Sequence, residues 1–151
     1  MVSKESITSI ARENLKQAAE TLSEEDITQL VDWLSLKEND IRYQSLLLLQ
    51  ERSRLGNDVY FFWDVFKEKL KDKNSYQRSI GALLLAENAQ WDKGQKMTEV
   101  IDDYLLLLYD EKPITTRQCI QALAKIVPYH PSLREKIAKA LMAMDLMKVK
   151  E

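Results

Sequence analysis

The sequence predicts an all-α fold, a short α-solenoid of about eight helices in antiparallel pairs, and three observations carry that prediction. Apolar residues recur at three-and-four spacing along most of the chain, as helices with one buried face require. Only three Gly and three Pro occur in 151 residues, and no stretch alternates as a strand would. Polar, arginine-bearing starts followed by apolar runs recur at Ile41, at Asn74 and at Ile114. Recurrence of that kind belongs to stacked helix pairs.

The first helix is expected from about Lys4 to Leu22, opened by Ser3, with Ile7, Ile10, Ala11, Leu15, Ala18, Ala19 and Leu22 on its buried face. Ser23 caps the second, with Asp26 three residues on, and Ile27, Leu30, Val31, Trp33 and Leu34 pack. Asn39 or Asp40 opens the third, and Gly56 ends it through a left-handed turn. Leu46 to Leu49 is apolar on every side, so neighbours must enclose it. Asn57 caps the fourth, DVYFFWDVFKEKL, with Val59, Phe62, Trp63 and Phe66 on one face.

Asn74 to Pro113 then reads as two helices meeting at a Trp91-Asp92 corner. Gly81 sits inside the first of them at a cost of roughly 1 kcal/mol against Ala, which close approach of a neighbouring helix would explain. Pro113 suits a first turn, so the seventh helix runs from about Ile114 to Val127; Pro131-Ser132 starts the eighth. Every connection is short, which makes successive helices antiparallel neighbours.

Arg42, Arg78 and Arg117 stand 36 and 39 residues apart, and each is followed six residues later by a leucine: Leu48, Leu84, Leu123. Three repeats result, at about 24–56, 57–91 and 92–130, within one domain spanning 1–151. Residues 1–23 and 131–151 close its ends, where a solenoid needs atypical caps.

Asp72 with Arg78, and Asp110 with Arg117, resemble the inter-helix aspartate and second-helix arginine of HEAT repeats. From about Asn74 to Leu141 the chain is also similar to a group of small bacterial HEAT-like proteins, some of which carry an iron–sulfur assembly label. The resemblance implies stacked helix pairs. It also implies two candidate roles for the repeat arginines, bracing between repeats or contact with a ligand.

Composition bounds the chemistry. A net charge of −2 gives no global attraction to nucleic acid or anionic membrane. Cys119 is the lone cysteine, so no internal disulfide forms, and no apolar run approaches the ~20 residues of a membrane span. The N-terminal stretch lacks a signal peptide's apolar core, so a cytoplasmic protein is expected. Cys119 and His130, one of each and eleven residues apart, do not make a zinc or iron–sulfur ligand set. Neither metal nor cofactor is expected, Cys119 reads as a buried hydrophobe, and Glu24-Glu25 and Asp102-Asp103 diverge on their helices.

The expected function is therefore non-enzymatic, a protein-interaction module or scaffold with a protein partner. Its expected contact strip is Arg42, Gln44, Gln77, Arg78, Arg117, Gln118 and Gln121 on the second helices. Tyr60, Phe61 and Val65, and at the far end Met142, Leu146 and Met147, exceed what one buried stripe needs. They are either core or apolar contact patches, through which homo-oligomers could also form. The alternative is a nucleic-acid-binding or DNA-repair protein of the HEAT-like alkylpurine glycosylase type.

Overall fold

The computed structural model describes residues 2–150, with side chains to Met144. Among these residues it is all-α, with α1 Lys4–Thr8, α2 Leu15–Glu20, α3 Glu24–Trp33, α4 Asn39–Leu55, α5 Trp63–Lys69, α6 Ser75–Glu87, α7 Met97–Leu106, α8 Pro113–Ile126 and α9 Arg134–Lys150. Short 3-10 turns at Arg12–Asn14, Val59–Phe62, Ala89–Trp91, Leu107–Tyr109, Val127–Tyr129 and Pro131–Leu133 join them.

Three capping expectations hold. Ser3 and Ser23 each form a capping box, with Ser6 and with Asp26, and Asn74 Oδ1 accepts the Tyr76 N–H. Each satisfies an amide that the helix leaves free. Pro113 occupies the first turn of α8.

Other boundaries differ from expectation. The expected helix Lys4–Leu22 is broken between α1 and α2. Ser6, Thr8 and Ser9 hydroxyls bond back to carbonyls three or four residues earlier, competing with the helical ladder, and Ala11 is extended. Gln44 of α4 donates to the Ile7 and Ile10 carbonyls at 2.8 and 2.9 Å, satisfying acceptors at the break.

Glu38, not Asn39 or Asp40, takes the cap position of α4, because Asn39 Oδ1 is held by the Arg42 guanidinium. Gly56 ends α4 in an extended conformation, φ −170°, not a left-handed one. Asn57 caps nothing, since α5 begins only at Trp63 after a 3-10 turn, and Ser132 likewise lies within such a turn.

Packing follows the apolar stripes. α4 lies against α1, α2 and α3, α6 against α5, and α8 against the Leu107–Tyr109 turn that ends α7. α4, α6 and α8 also pack side by side in a row. This explains the all-round apolar run on α4: Leu46, Leu48 and Leu49 are buried and Leu47 is half-buried, each flank facing a different neighbour. Trp63, Tyr104 and Phe66 are the bulkiest enclosed side chains.

Gly81 lies where α6 meets α5. A Cβ there would stand 2.6 Å from the Phe66 carbonyl oxygen and 2.9 Å from Lys69 Cβ. The backbone oxygen cannot swing aside, so α5 and α6 would have to separate. Gly81→Ala is expected to destabilise the fold by about 1–3 kcal/mol through overpacking, although alanine is the better helix former by roughly 1 kcal/mol. Urea unfolding checks this; a variant more stable than wild type would contradict the close approach.

Candidate functional site

The row of α4, α6 and α8 carries most of the side chains that the sequence singles out, and their partners divide them into two groups. Arg78 is held from several sides. Its Nε and Nη2 donate to the Asp110 carboxylate at 2.7 and 3.0 Å, and its Nη1 donates to the Asp72 and Lys73 carbonyls. Both partners of this fork are nearly buried, at 11% and 6% exposure. Arg42 donates to the Leu36 and Lys37 carbonyls and stacks 4.5 Å over the Tyr76 ring. Gln77 donates to the Leu34 carbonyl at 2.8 Å and accepts from Lys69. Together with Gln44 these side chains tie helix ends and loops together.

Arg117 differs. It is exposed and makes no ion pair among the described residues. Asp110 pairs with Arg78 of the preceding helix pair and not with Arg117 of its own, as bracing between successive pairs requires, and the Asp72 carboxylate accepts from the Asn74 N–H. The α8 residue that meets the preceding turn is instead Thr116, whose hydroxyl donates to the Leu107 carbonyl at 3.3 Å. Gln121 is exposed, and the half-buried Gln118 has a buried Oε1 without a hydrogen-bond donor.

The Arg78 guanidinium and the Lys112 N–H hold the Asp110 carboxyl below its ordinary 3.8. A depressed carboxylate stabilises the fold above its unfolded value, and that stability is lost as pH falls through the folded value. Thermal stability should therefore fall below about pH 3.8. Asp110→Asn should flatten this limb of the melting-temperature profile; an unaltered limb would remove Asp110 from the account.

A groove of about 340 Å³ crosses the same row. Leu46, Ile80 and Leu83 form its floor, and Tyr43, Tyr76 and Ile114 stand along it at 54%, 60% and 57% exposure. These three come one from each of the three helices in the row. They were missed in the sequence because each lies within the first turns of a helix, beside an arginine, glutamine or proline that draws attention first. The signal was available as an aromatic or aliphatic side chain recurring at positions 43, 76 and 114.

At the other end of the row Glu87, only 4% exposed, accepts from Arg54 of α4 at 2.8 Å and from Lys125 of α8. One buried carboxylate thereby joins three helices through two half-exposed cations.

The Trp91-Asp92 corner is a polar core site. Asp92 accepts from the Tyr60 hydroxyl at 2.6 Å and from the Lys96 and Met97 N–H groups at 2.9 and 2.8 Å. It therefore satisfies the open amides at the start of α7. Gln95, at φ 57°, takes a left-handed conformation between them, a strain of about 1–2 kcal/mol. His130 Nε2 lies 3.2 Å from Asp92 Oδ2 and its Nδ1 3.0 Å from Gln95 Oε1. Burial lowers the His130 pKa while the Asp92 charge opposes the shift. Both side chains have zero exposure, so the pair is a brace rather than a place where substrate could meet an imidazole.

Tyr60 is thus engaged through its hydroxyl and packs its ring 5.3 Å from Trp63, whereas Phe61 and Val65 stand out at 84% and 40% exposure. Met142 is exposed on α9; Leu146 and Met147 lie outside the residues whose side chains are described. Cys119 is fully buried, its thiol pushed up to about 12 by desolvation. Among the described residues no three His, Cys, Asp or Glu side chains gather as a metal site, and no helix is long and apolar enough to cross a membrane.

No family model matches the chain, and neither a curated protein nor a solved structure does.

Proposed function

We propose that this chain is a non-enzymatic helical-repeat protein of the HEAT-like kind, which holds a segment of a partner protein along the face made by α4, α6 and α8. The observation that carries this reading is the Tyr43–Tyr76–Ile114 strip beside an apolar floor. Aromatic side chains left half in water next to a groove are a common make-up for a binding surface. Successive helix pairs would each contribute one strip to it. Arg117, Gln118 and Gln121 flank the apolar strip on α8 and supply hydrogen-bonding groups. Arg42, Gln44, Gln77 and Arg78 serve the reading differently, by fixing the helices that present the strip.

The test is capture from the source cells on immobilised protein, comparing wild type with the triple variant Tyr43→Ser, Tyr76→Ser, Ile114→Ser. The three side chains are exposed, so the variant should melt near wild type. A defined protein retained by wild type and lost by the variant is the expected result. Equal capture by both would contradict the reading. Salt-sensitive binding of a nucleic-acid duplex, lost in Arg117→Glu, would replace it with the repair-type alternative.

A further inference from the structure

A second groove lies away from that face, between α3 and the Val59–Lys69 segment. A trough of about 750 Å³ continues into one of about 440 Å³, the two sharing Glu24, Thr28 and Phe62 in their walls. Its apolar side is Phe62 and Val65 with Phe61, at 84% the most exposed large hydrophobic side chain among the described residues. Phe61 and Phe62 meet edge to face at the rim, centroids 5.3 Å apart. Neither half of the groove is lined by a lysine or arginine, whereas Glu24, Glu25, Asp32 and Asp58 all line it.

Helix stability accounts for some of this acidity and not the rest. Glu24 and Glu25 stand in the first turn of α3, where the helix dipole favours a negative charge. Asp58 is neutralised by the Arg52 fork at 2.7 Å. Asp32 is in the last turn of α3, where the dipole opposes a carboxylate, and no cation pairs with it among the described residues. Neither the dipole nor an ion pair accounts for Asp32, and the other half of the same groove carries the exposed Phe61.

We propose that this groove binds a cationic amphipathic segment of a partner protein. The apolar side of that segment would pack on Phe61, Phe62 and Val65, and its lysines or arginines would meet Glu24, Glu25 and Asp32. Charge complementarity selects the occupant. An acidic or neutral apolar segment would leave these carboxylates facing like charge or bury them unpaired. A second copy of this chain, apposing the same groove, would bring the same acids together.

The probe is a labelled Leu/Lys peptide with leucines at helical spacing, followed by fluorescence anisotropy against the full chain. A scrambled Leu/Lys peptide and a Leu/Glu peptide serve as controls. Binding is expected for the helical Leu/Lys peptide and should weaken about tenfold or more in Phe61→Ser, as for a contact at an interface centre. The triple variant Glu24→Gln, Glu25→Gln, Asp32→Asn should weaken it similarly, with a smaller salt dependence. Tyr76→Ser should leave it unchanged, which separates this groove from the α4–α6–α8 face and lets either proposal fail alone. Absence of binding, equal binding of the scrambled or Leu/Glu peptide, or binding indifferent to Phe61→Ser would overturn the proposal. A concentration-dependent dimer abolished by Phe61→Ser in sedimentation would overturn it in favour of self-association.

Discussion

Asp92→Ala is expected to destabilise the fold by about 3–5 kcal/mol, the largest loss from any single polar side chain, since several buried groups lose their partner together. The Asp92 carboxylate is enclosed, accepts from the Tyr60 hydroxyl and two N–H groups at the start of α7, and lies 3.2 Å from His130 Nε2. Asp92→Asn should cost less, because its one amide oxygen still accepts while its NH2 faces existing donors. Chemical denaturation of both variants checks the order. A loss under about 0.5 kcal/mol for alanine, the level of an ordinary surface change, would mean that the corner does not hold α7.

Arg78→Ala is expected to cost about 3 kcal/mol, because a nearly buried Asp110 is left without its cation. Arg117→Ala should stay within about 0.5 kcal/mol, as for an exposed side chain without an ion pair. The contrast between two arginines at matching places in the sequence pattern is the informative result. Similar losses at both would show that Arg117 also braces, through contacts absent here. Negligible losses at both would show that neither does.

The helix stripes were legible because burial along them is dense: Ile27, Leu30 and Val31 on α3, or Met97, Val100, Ile101 and Tyr104 on α7, admit one period. Ser23 and Asn74 were legible as caps because their partners lie two or three residues away. The break after Thr8 was not, because the acceptors it frees are satisfied by Gln44 from another helix. The 3-10 turn at Val59–Phe62 escaped for a similar reason. Val59, Phe62, Trp63 and Phe66 keep helical spacing across it, and the Tyr60 hydroxyl bonds to Asp92, a residue remote in sequence.

The sequence drew attention to the starts of α4, α6 and α8 without showing what their polar side chains bond to. The sequence placed polar side chains at the starts of α4 and α6 and suggested contact with a partner. Arg42, Gln44 and Gln77 instead spend hydrogen bonds on backbone carbonyls of neighbouring elements, which no spacing within one helix reveals. What that leaves presented is the tyrosine and isoleucine strip between them. The contact of Asp92 with His130 was hidden for the same reason, the two being 38 positions apart and meeting only in the folded chain.

Photo-crosslinking in the source cells tests the central claim most directly, with p-benzoylphenylalanine placed in turn at Tyr43, Tyr76 and Ile114, and at Glu99 on the exposed side of α7 as control. The account predicts one and the same protein crosslinked from the three positions on α4, α6 and α8, and no such product from position 99. No adduct from the three, or an equal adduct from Glu99, would contradict a partner held on this face.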